Sequence, residues 1–143
     1  MSTESISAQL SLPRDNVSIR LLDIYPSKTN EEPINCRFRV ARLDIDAHYE
    51  ALSYCWGDPA VRRSIFIEDT LLQVTANLVA ALHTFRLSNT ERTMWVDAIC
   101  IDQESKDEKN SQIPLMREIY SRSSTTLIWL GPSDTLVGAR CGF

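Results

Sequence analysis

The fold is decided by residues 93–132, TMWVDAICIDQESKDEKNSQIPLMREIYSRSSTTLIWLGP. This stretch contains an apolar run, an acidic loop, a segment with helical spacing and a second apolar run, which is the order of a βαβ unit. A connection of this length between two buried strands normally makes them parallel and places the helix on one face of the sheet. The rest of the chain is expected to complete that sheet.

The helix of this unit is predicted from apolar residues at helical spacing. Its inward face consists of Ile113, Met116, Ile119 and Tyr120. Pro114 lacks the backbone N–H that a helix interior requires, so either the regular helix begins near Ile113 or an earlier turn kinks there.

The upstream chain predicts further strands and one more helix. Two alternating runs, residues 17–21 and 36–40, predict strands that pair as an antiparallel ribbon beside the main sheet. The apolar run at 49–57 lacks alternation and predicts a central parallel strand covered on both faces. Apolar runs on either side of residues 68–70 predict a hairpin, and Thr75 can cap the helix that follows. The predicted fold class is α/β, a sheet with parallel central strands flanked by helices and an N-terminal antiparallel β ribbon.

The composition excludes several functional classes. The 143 residues are enough for one domain with a core of its own. A formal net charge of -4 and a pI near 5.1 oppose nucleic acid or an anionic membrane as the main partner. No apolar run approaches the roughly 18 residues that span a bilayer, so a cytoplasmic protein is expected. The four cysteines and two histidines lack metal-ligand spacing, so no metal site is expected.

Five sequence blocks carry a family resemblance: RLL at residues 20–22, YEALSYCWGD, VTANLVAALHTFR, MWVDAICIDQES and EKNSQIPLMREIYSRSSTTLIWLGP. In this order they resemble the fungal heterokaryon incompatibility (HET) domain, over about residues 19–132. The resemblance implies a fungal intracellular module of non-self recognition, whose activation is associated with growth arrest or cell death. Such a module would act through self-association or a protein partner.

HET domains are in turn similar to TIR domains, which have a flavodoxin-like sheet and in several lineages cleave NAD. On that likeness, residues 52–57 resemble the first TIR strand and residues 77–85 the first helix. Residues 93–132 then resemble the second strand, second helix and third strand, so the likeness implies a partial flavodoxin/TIR-like sheet. No cofactor is assigned with certainty, and the likeness offers NAD only as a candidate substrate.

The chain also departs from these families. The family's Glu-Arg at the helix entrance is Glu108-Lys109 here. HET and TIR domains continue beyond the position of Pro132, so we expect the domain to be truncated. The catalytic glutamate of TIR enzymes follows a Trp-Cys pair after the third strand, and no glutamate follows Cys141. The expected division is a flexible leader (1–15), a HET domain (16–132) made of a ribbon (16–45) and an α/β core (49–132), and a short tail (133–143).

In an open α/β sheet, ligands bind beyond the carboxyl ends of the parallel strands. At those ends a carboxylate could hold a ribose, Trp56 could stack on a base, and the backbone at Gly57 could approach a phosphate. The predicted nucleotide pocket consists of Trp56, Gly57, Asp58, Asp102 and Gln103.

These acidic and glycine residues also have structural interpretations. A glycine after a strand is usually a turn residue, and no glycine-rich phosphate loop occurs. Asp102 can instead cap the following helix. Asp97, predicted inside the first apolar strand, needs a partner such as an arginine or a helix N-terminus. The helix dipole explains Glu108, which is nevertheless the first choice for a catalytic acid because the HET pattern has Glu at this point.

Two functions therefore remain open. The first is a HET-family interaction module in non-self recognition and cell-death control. The second is a TIR-like enzyme that cleaves NAD, and an inactive truncated remnant of such an enzyme is a further alternative.

Overall fold

The computed structural model describes residues 12–13, 15–29, 31–45, 48–55 and 57–131. Most of the predicted leader, the whole predicted tail and Trp56 lie outside the described residues. Within the described part, seven strands form one mixed sheet. They are β1 (Ser18–Ile24), β2 (Asn35–Arg42), β3 (Glu50–Tyr54), β4 (Arg62–Ile67), β5 (Thr70–Thr75), β6 (Arg92–Trp95) and β7 (Thr125–Trp129).

Short helices connect these strands. They are α1 (Ala76–Phe85), α2 (Asp97–Cys100), α3 (Lys106–Gln112) and α4 (Met116–Arg122), with a 3₁₀ turn (Ile113–Leu115) between the last two. None of these described helices is long and apolar enough to cross a membrane.

The parallel part of the sheet consists of β6, β3 and β7, with β3 in the middle. The whole order is β5-β4-β2-β1-β6-β3-β7. Because β3 is parallel to both of its neighbours, β6 and β7 are parallel to each other, as the βαβ pattern predicts. The predicted α/β fold, with parallel central strands flanked by helices, is confirmed. Across the sheet, β3, which comes first in the chain, lies between β6 and β7.

The N-terminal antiparallel ribbon is confirmed, because β1 pairs with β2 along its whole length. The ribbon is continuous with the main sheet rather than beside it, since β1 also pairs antiparallel with β6. All seven residues of β1 are buried, whereas its alternating sequence predicts a half-buried strand. This central position buries two charged side chains, Arg20 and Asp23, to 1% exposure each.

Strands β4 and β5 form the predicted hairpin. Its two turn residues, Glu68 and Asp69, have φ values of 49° and 67°. Positive φ at both central residues is typical of a type I′ turn, whose twist suits a two-residue hairpin. Thr75 then caps α1 as predicted, with its Oγ1 accepting from the N–H of Leu78 at 3.3 Å.

The first strand of the βαβ unit is shorter than its apolar sequence predicts. It ends at Trp95, and Asp97 begins α2, so the prediction that Asp97 lies inside a strand is wrong. The physical reason is that the first turn of a helix offers unpaired backbone N–H groups to a carboxylate. Inside a central strand those N–H groups would already be engaged in the ladder.

Pro114 lies in the 3₁₀ turn between α3 and α4, which is the kinked alternative of the two that the sequence allows. Ile113, at the start of that turn, is 53% exposed, so the prediction that it faces inward is wrong. Its direction differs because 3₁₀ winding does not continue the angular spacing of an α-helix. Met116, Ile119 and Tyr120 pack against the core, as predicted.

Asp23 is a buried charge within the ribbon. Its Oδ2 accepts from Arg37 Nε at 3.0 Å and from Arg39 Nε at 2.9 Å, and its Oδ1 accepts from the Thr93 hydroxyl at 2.6 Å. Burial by itself raises the pKa of this carboxyl, but the bonds from Thr93, Arg39 and Arg37 outweigh burial and hold the pKa below its ordinary value. Arg37 and Arg39 on the outer side of β2 therefore also bind β1, through the Asp23 carboxylate.

We expect Asp23→Asn to lower the free energy of unfolding by about 2 kcal/mol at neutral pH, because two charge-assisted hydrogen bonds lose their anion. A carboxyl whose pKa is lowered by folding adds stability above its unfolded pKa of about 3.9, and that stability is lost as the pH falls through the folded pKa. In urea unfolding, the difference between wild type and variant should therefore shrink in strong acid.

Asp44→Asn is the matched control for this experiment. Asp44 pairs with Arg42, and the two side chains are 44% and 50% exposed, so solvent screens the pair and its removal should change stability little. A difference between wild type and Asp23→Asn that stays constant on acidification would contradict the assignment.

Candidate functional site

Arg20 of β1 and Glu108 of α3 form a buried ion pair across 88 residues of sequence. Arg20 Nη1 donates to Oε2 at 2.5 Å and Nη2 donates to Oε1 at 2.6 Å, so the pair is bidentate. The two side chains are 1% and 12% exposed. Nη1 also donates to the carbonyl of Cys100 at 3.0 Å. The guanidinium therefore connects β1 to both α2 and α3.

The local sequence holds Glu108 at the start of α3. Ser105 is the N-cap, and its Oγ accepts from the N–H of Glu108 at 3.1 Å. Ser105 and Glu108 have the spacing of a capping box, in which the glutamate side chain usually accepts a hydrogen bond from the backbone N–H of the N-cap residue. Here Glu108 Oε2 accepts instead from the N–H of Asp102 at 2.5 Å. We call Arg20, Glu108 and the Asp102 amide the Arg20–Glu108 clasp.

A cavity of about 570 Å³ lies beside the clasp. Three carboxylates and one guanidinium line it, so its local field favours a cationic or hydroxyl-bearing group over a phosphate. The lining residues are Leu12, Pro13 and Asn16 before β1, Arg20 on β1, and Asp102, Ser105, Asp107, Glu108, Asn110 and Ser111 in the loop and helix that follow α2.

Of the predicted pocket residues, the structure brings Asp102 to this cavity together with Glu108. Asp102 is 6% exposed, and its Oδ1 accepts from the N–H of Glu104 at 3.1 Å. The cap of α3 is Ser105, so Asp102 does not have the capping role that was its alternative. Gln103 is exposed, and its Nε2 donates to the carbonyl of Asp97 at 2.9 Å.

Gly57 and Asp58 follow β3 and do not line the cavity. Gly57 has a φ of 69°, and a Cβ added there would approach Asn77 Nδ2 to 2.4 Å. That Nδ2 donates to the carbonyl of Cys55 at 3.1 Å. Asp58 Oδ1 accepts from the N–H of Ala60 at 2.9 Å. Both predicted residues therefore have turn-forming contacts, and Trp56 lies outside the described residues.

A second group of titratable residues lies at the carboxyl ends of β3 and β6. Tyr54 ends β3, Asp97 follows β6, and Tyr120 of α4 packs edge-on against Trp95 at 5.6 Å between ring centroids. Burial, with a contribution from the Asp97 carboxylate, raises the pKa of Tyr54 and of Tyr120 to about 12. We call Tyr54, Asp97 and Tyr120 the strand-end cluster.

Asp97 is the acidic member of the strand-end cluster. Burial raises the pKa of its carboxyl, although its own N–H and that of Ala98 oppose the change. No cationic side chain of the described residues contributes to this shift. The indole N–H of Trp95 is also buried without an acceptor in the described part of the chain. A desolvated carboxyl at this end of the sheet is a candidate for ligand contact.

The two carboxylates are suited to different chemistry. Both oxygens of Glu108 already accept from fixed donors, so this side chain is suited to holding the loop and Arg20 in place. Burial raises the pKa of Asp97, which is the direction of shift that brings a carboxyl closer to general acid or base chemistry at neutral pH. Arg20 and Glu108 each fall in a block of the HET pattern, but no local pattern connects the two residues, so the sequence did not predict the clasp.

Residues 49–140 match the family model described as Heterokaryon incompatibility protein (HET). A curated protein of Neurospora crassa, Heterokaryon incompatibility protein 6, OR allele, is 31% identical over 151 residues. The alignment covers 92% of this chain and 22% of that relative, so the chain spans about a fifth of the relative's length. No solved structure matches the chain significantly.

The clasp gives the first prediction for this site. We expect Glu108→Gln to lower the free energy of unfolding by about 3 kcal/mol, because it leaves the guanidinium of Arg20 buried without its anion. Glu104→Gln is the matched control, since this exposed glutamate lies in the same loop and its carboxylate is outside the clasp. Urea unfolding of both variants measures the difference. Equal small losses would show that the clasp contributes no more than a surface contact.

The strand-end cluster gives the second prediction for this site. A carboxyl whose pKa is raised by folding favours the folded state only below its unfolded pKa of about 3.9, and that contribution is lost as the pH rises through the folded pKa. We therefore expect Asp97→Asn to raise Tm by a few degrees at neutral pH and to have little effect in strong acid. Thermal unfolding against pH measures this, with Asp58→Asn as the exposed control. A lower Tm for Asp97→Asn at neutral pH would refute the expectation.

Proposed function

The chain belongs to the heterokaryon incompatibility (HET) family, and we propose that it acts in fungal non-self recognition as a protein-binding module. In this role it would associate with itself or with a partner protein, and its activation would arrest growth and lead to cell death. The relative that carries heterokaryon incompatibility in its name aligns with 92% of this chain. Because the alignment covers 22% of that relative, the proposal concerns this segment alone.

The engagement of Glu108 is the observation that carries the binding proposal. This glutamate stands where the HET pattern has an acid, and it was the first choice for a catalytic group. Its two oxygens accept from Arg20 and from the N–H of Asp102, at 2.5 to 2.6 Å. With these contacts Glu108 stabilises the fold around the cavity. In the binding proposal, a partner protein then recognises the surface of that fold.

NAD cleavage is the second candidate function, and the strand-end cluster favours it. Asp97 has a raised pKa and lies at the carboxyl end of β6, where ligands of open α/β sheets bind. Tyr54 beside it is buried and Tyr120 is half-buried, so Tyr120 is the member of the pair whose ring is partly open to a ligand. In this alternative Asp97 would contact the ligand, while the Arg20–Glu108 clasp would keep its structural role.

One experiment tests the proposal. The 143-residue chain is expressed from an inducible promoter in Neurospora crassa, and hyphal extension, uptake of a vital dye and cellular NAD are followed after induction. The binding proposal expects growth arrest and dye uptake, with NAD constant until the cells die. Normal growth at a confirmed protein level would refute it.

Asp97→Asn separates the two candidate functions. This variant keeps the size of the side chain and removes the ionisable group, so the fold should persist. A binding module should still arrest growth when it carries this substitution. If NAD falls before death in the wild type and the variant neither lowers NAD nor arrests growth, NAD cleavage replaces binding as the function.

A further inference from the structure

Arg86 is the C-cap of α1, and its side chain joins this helix to the loop between β1 and β2. Its Nη1 donates to the carbonyls of Glu32 at 2.9 Å and Pro33 at 3.0 Å, and its Nη2 donates to the carbonyl of Thr29 at 2.8 Å. A guanidinium presents several N–H groups in one plane, so a single side chain can hold several carbonyls at once. One residue of the helix end therefore holds three carbonyls of the loop.

His83, in the last turn of α1, is a further partner of the same guanidinium. Its Nδ1 lies 3.3 Å from Arg86 Nη2. Arginine only donates hydrogen bonds, so the ring nitrogen has to accept, and it can accept only when it carries no proton. The contact therefore requires the neutral ring, with its proton on Nε2. We call this ring, the Arg86 guanidinium and the three loop carbonyls the His83–Arg86 latch.

The surroundings of His83 favour the neutral ring. Burial, followed by the charge of Arg86, lowers the pKa of His83 from its ordinary value. The carbonyls at the end of a helix favour a cation and act in the opposite direction, but they do not outweigh these two causes.

Other charged groups lie on the elements around the end of α1. Among the described residues, Arg86 is nevertheless the only charged group that shifts the pKa of His83. The others are Lys28, Glu31 and Glu32 in the loop, Glu68 and Asp69 at the tip of the β4–β5 hairpin, and the paired Glu50 and Arg92 at the starts of β3 and β6.

We propose that the His83–Arg86 latch is an acid-sensitive switch, which holds the loop between β1 and β2 on α1 while His83 is neutral and releases it when Nδ1 gains a proton. The added proton removes the acceptor that Arg86 uses and places two cations 3.3 Å apart. Because the same Nη2 holds the carbonyl of Thr29, moving this group away from the ring also breaks the bond to the loop. The latch goes beyond the proposed function and does not depend on it.

The direction of the pH dependence follows from the lowered pKa of His83. A histidine with a lower pKa in the folded protein binds its proton more readily in the unfolded chain. The neutral latch therefore contributes fully to stability above the ordinary histidine pKa of about 6.5, and this contribution is lost as the pH falls through the folded pKa. The loop should be held at neutral pH and released on mild acidification.

Heteronuclear NMR of the labelled 143-residue chain, titrated from neutral pH into mild acid, tests the switch. The ring nitrogen shifts of His83 should show the Nε2–H tautomer at neutral pH. The amide of Ser27 reports on the loop, because it donates to the carbonyl of Leu87 at 3.0 Å. Its chemical shift should change with the same midpoint as the His83 ring, and that midpoint should lie below about 6.5.

Three variants separate the latch from other titrating groups. His83→Gln cannot gain a charge, so the Ser27 amide should show no transition in the histidine range. His48→Gln is the matched control at the other histidine, which lies before β3, and it should leave the transition as in the wild type. Arg86→Ala removes the guanidinium, and its Ser27 amide at neutral pH should resemble that of the acidified wild type.

Three results would overturn the proposal. They are an Nδ1–H tautomer of His83 at neutral pH, a Ser27 transition that persists in His83→Gln, and midpoints for the His83 ring and the Ser27 amide that differ. If His83→Gln alters the urea unfolding curve, the tautomer and the two midpoints in the wild type decide the question without the variant.

Discussion

The bidentate pair between Arg20 and Glu108 is the contact on which the arrangement of this domain depends. Arg20 belongs to the strand that joins the antiparallel ribbon to the parallel strands, and Glu108 belongs to the helical connection of the βαβ unit. A buried arginine has a large desolvation cost that only a well-placed anion offsets, so strand and helix can pack in one way. The same carboxylate accepts from the N–H of Asp102, which fixes the loop at the carboxyl end of β6.

Local sequence patterns predicted the structural features that depend on residues close together in the chain. The parallel βαβ strands, the hairpin and the Thr75 cap all follow from periodicity and turn residues. The central position of β1 could not be predicted, because alternation reports which faces are covered and not which strands pair at the edges. The clasp was also beyond local reasoning, since its partners are 88 residues apart. Asp97 was misplaced because VDAIC is apolar enough for a strand yet forms a helical turn.

The structure separates the residues of the predicted pocket, since Asp102 lines the cavity beside the clasp and Gly57 and Asp58 do not. Glu108 and Asp102 lie together, yet their polar groups are already paired within the chain. Asp97 was considered mainly as a buried charge that needs a partner, and the structure gives it backbone N–H groups and no described cation. The free-energy cost of desolvating a carboxyl distinguishes these two acids, because a structural ion pair lowers that cost for Glu108 and Asp97 retains it.

The strand-end cluster is positioned by the parallel part of the sheet. Tyr54 is directly paired with Trp129 of β7, and Asp97 follows β6, which borders β3 on its other side. Asp97 also begins α2, and the carbonyl of Cys100 at the other end of this helix accepts from Arg20. The Arg20–Glu108 clasp therefore holds both the end of α2 and the N–H of Asp102 in the loop that follows it. The ion pair that stabilises the fold thus also fixes the helix whose first turn contains the desolvated carboxyl of Asp97, which is how a structural pair and a strand-end site share one sheet.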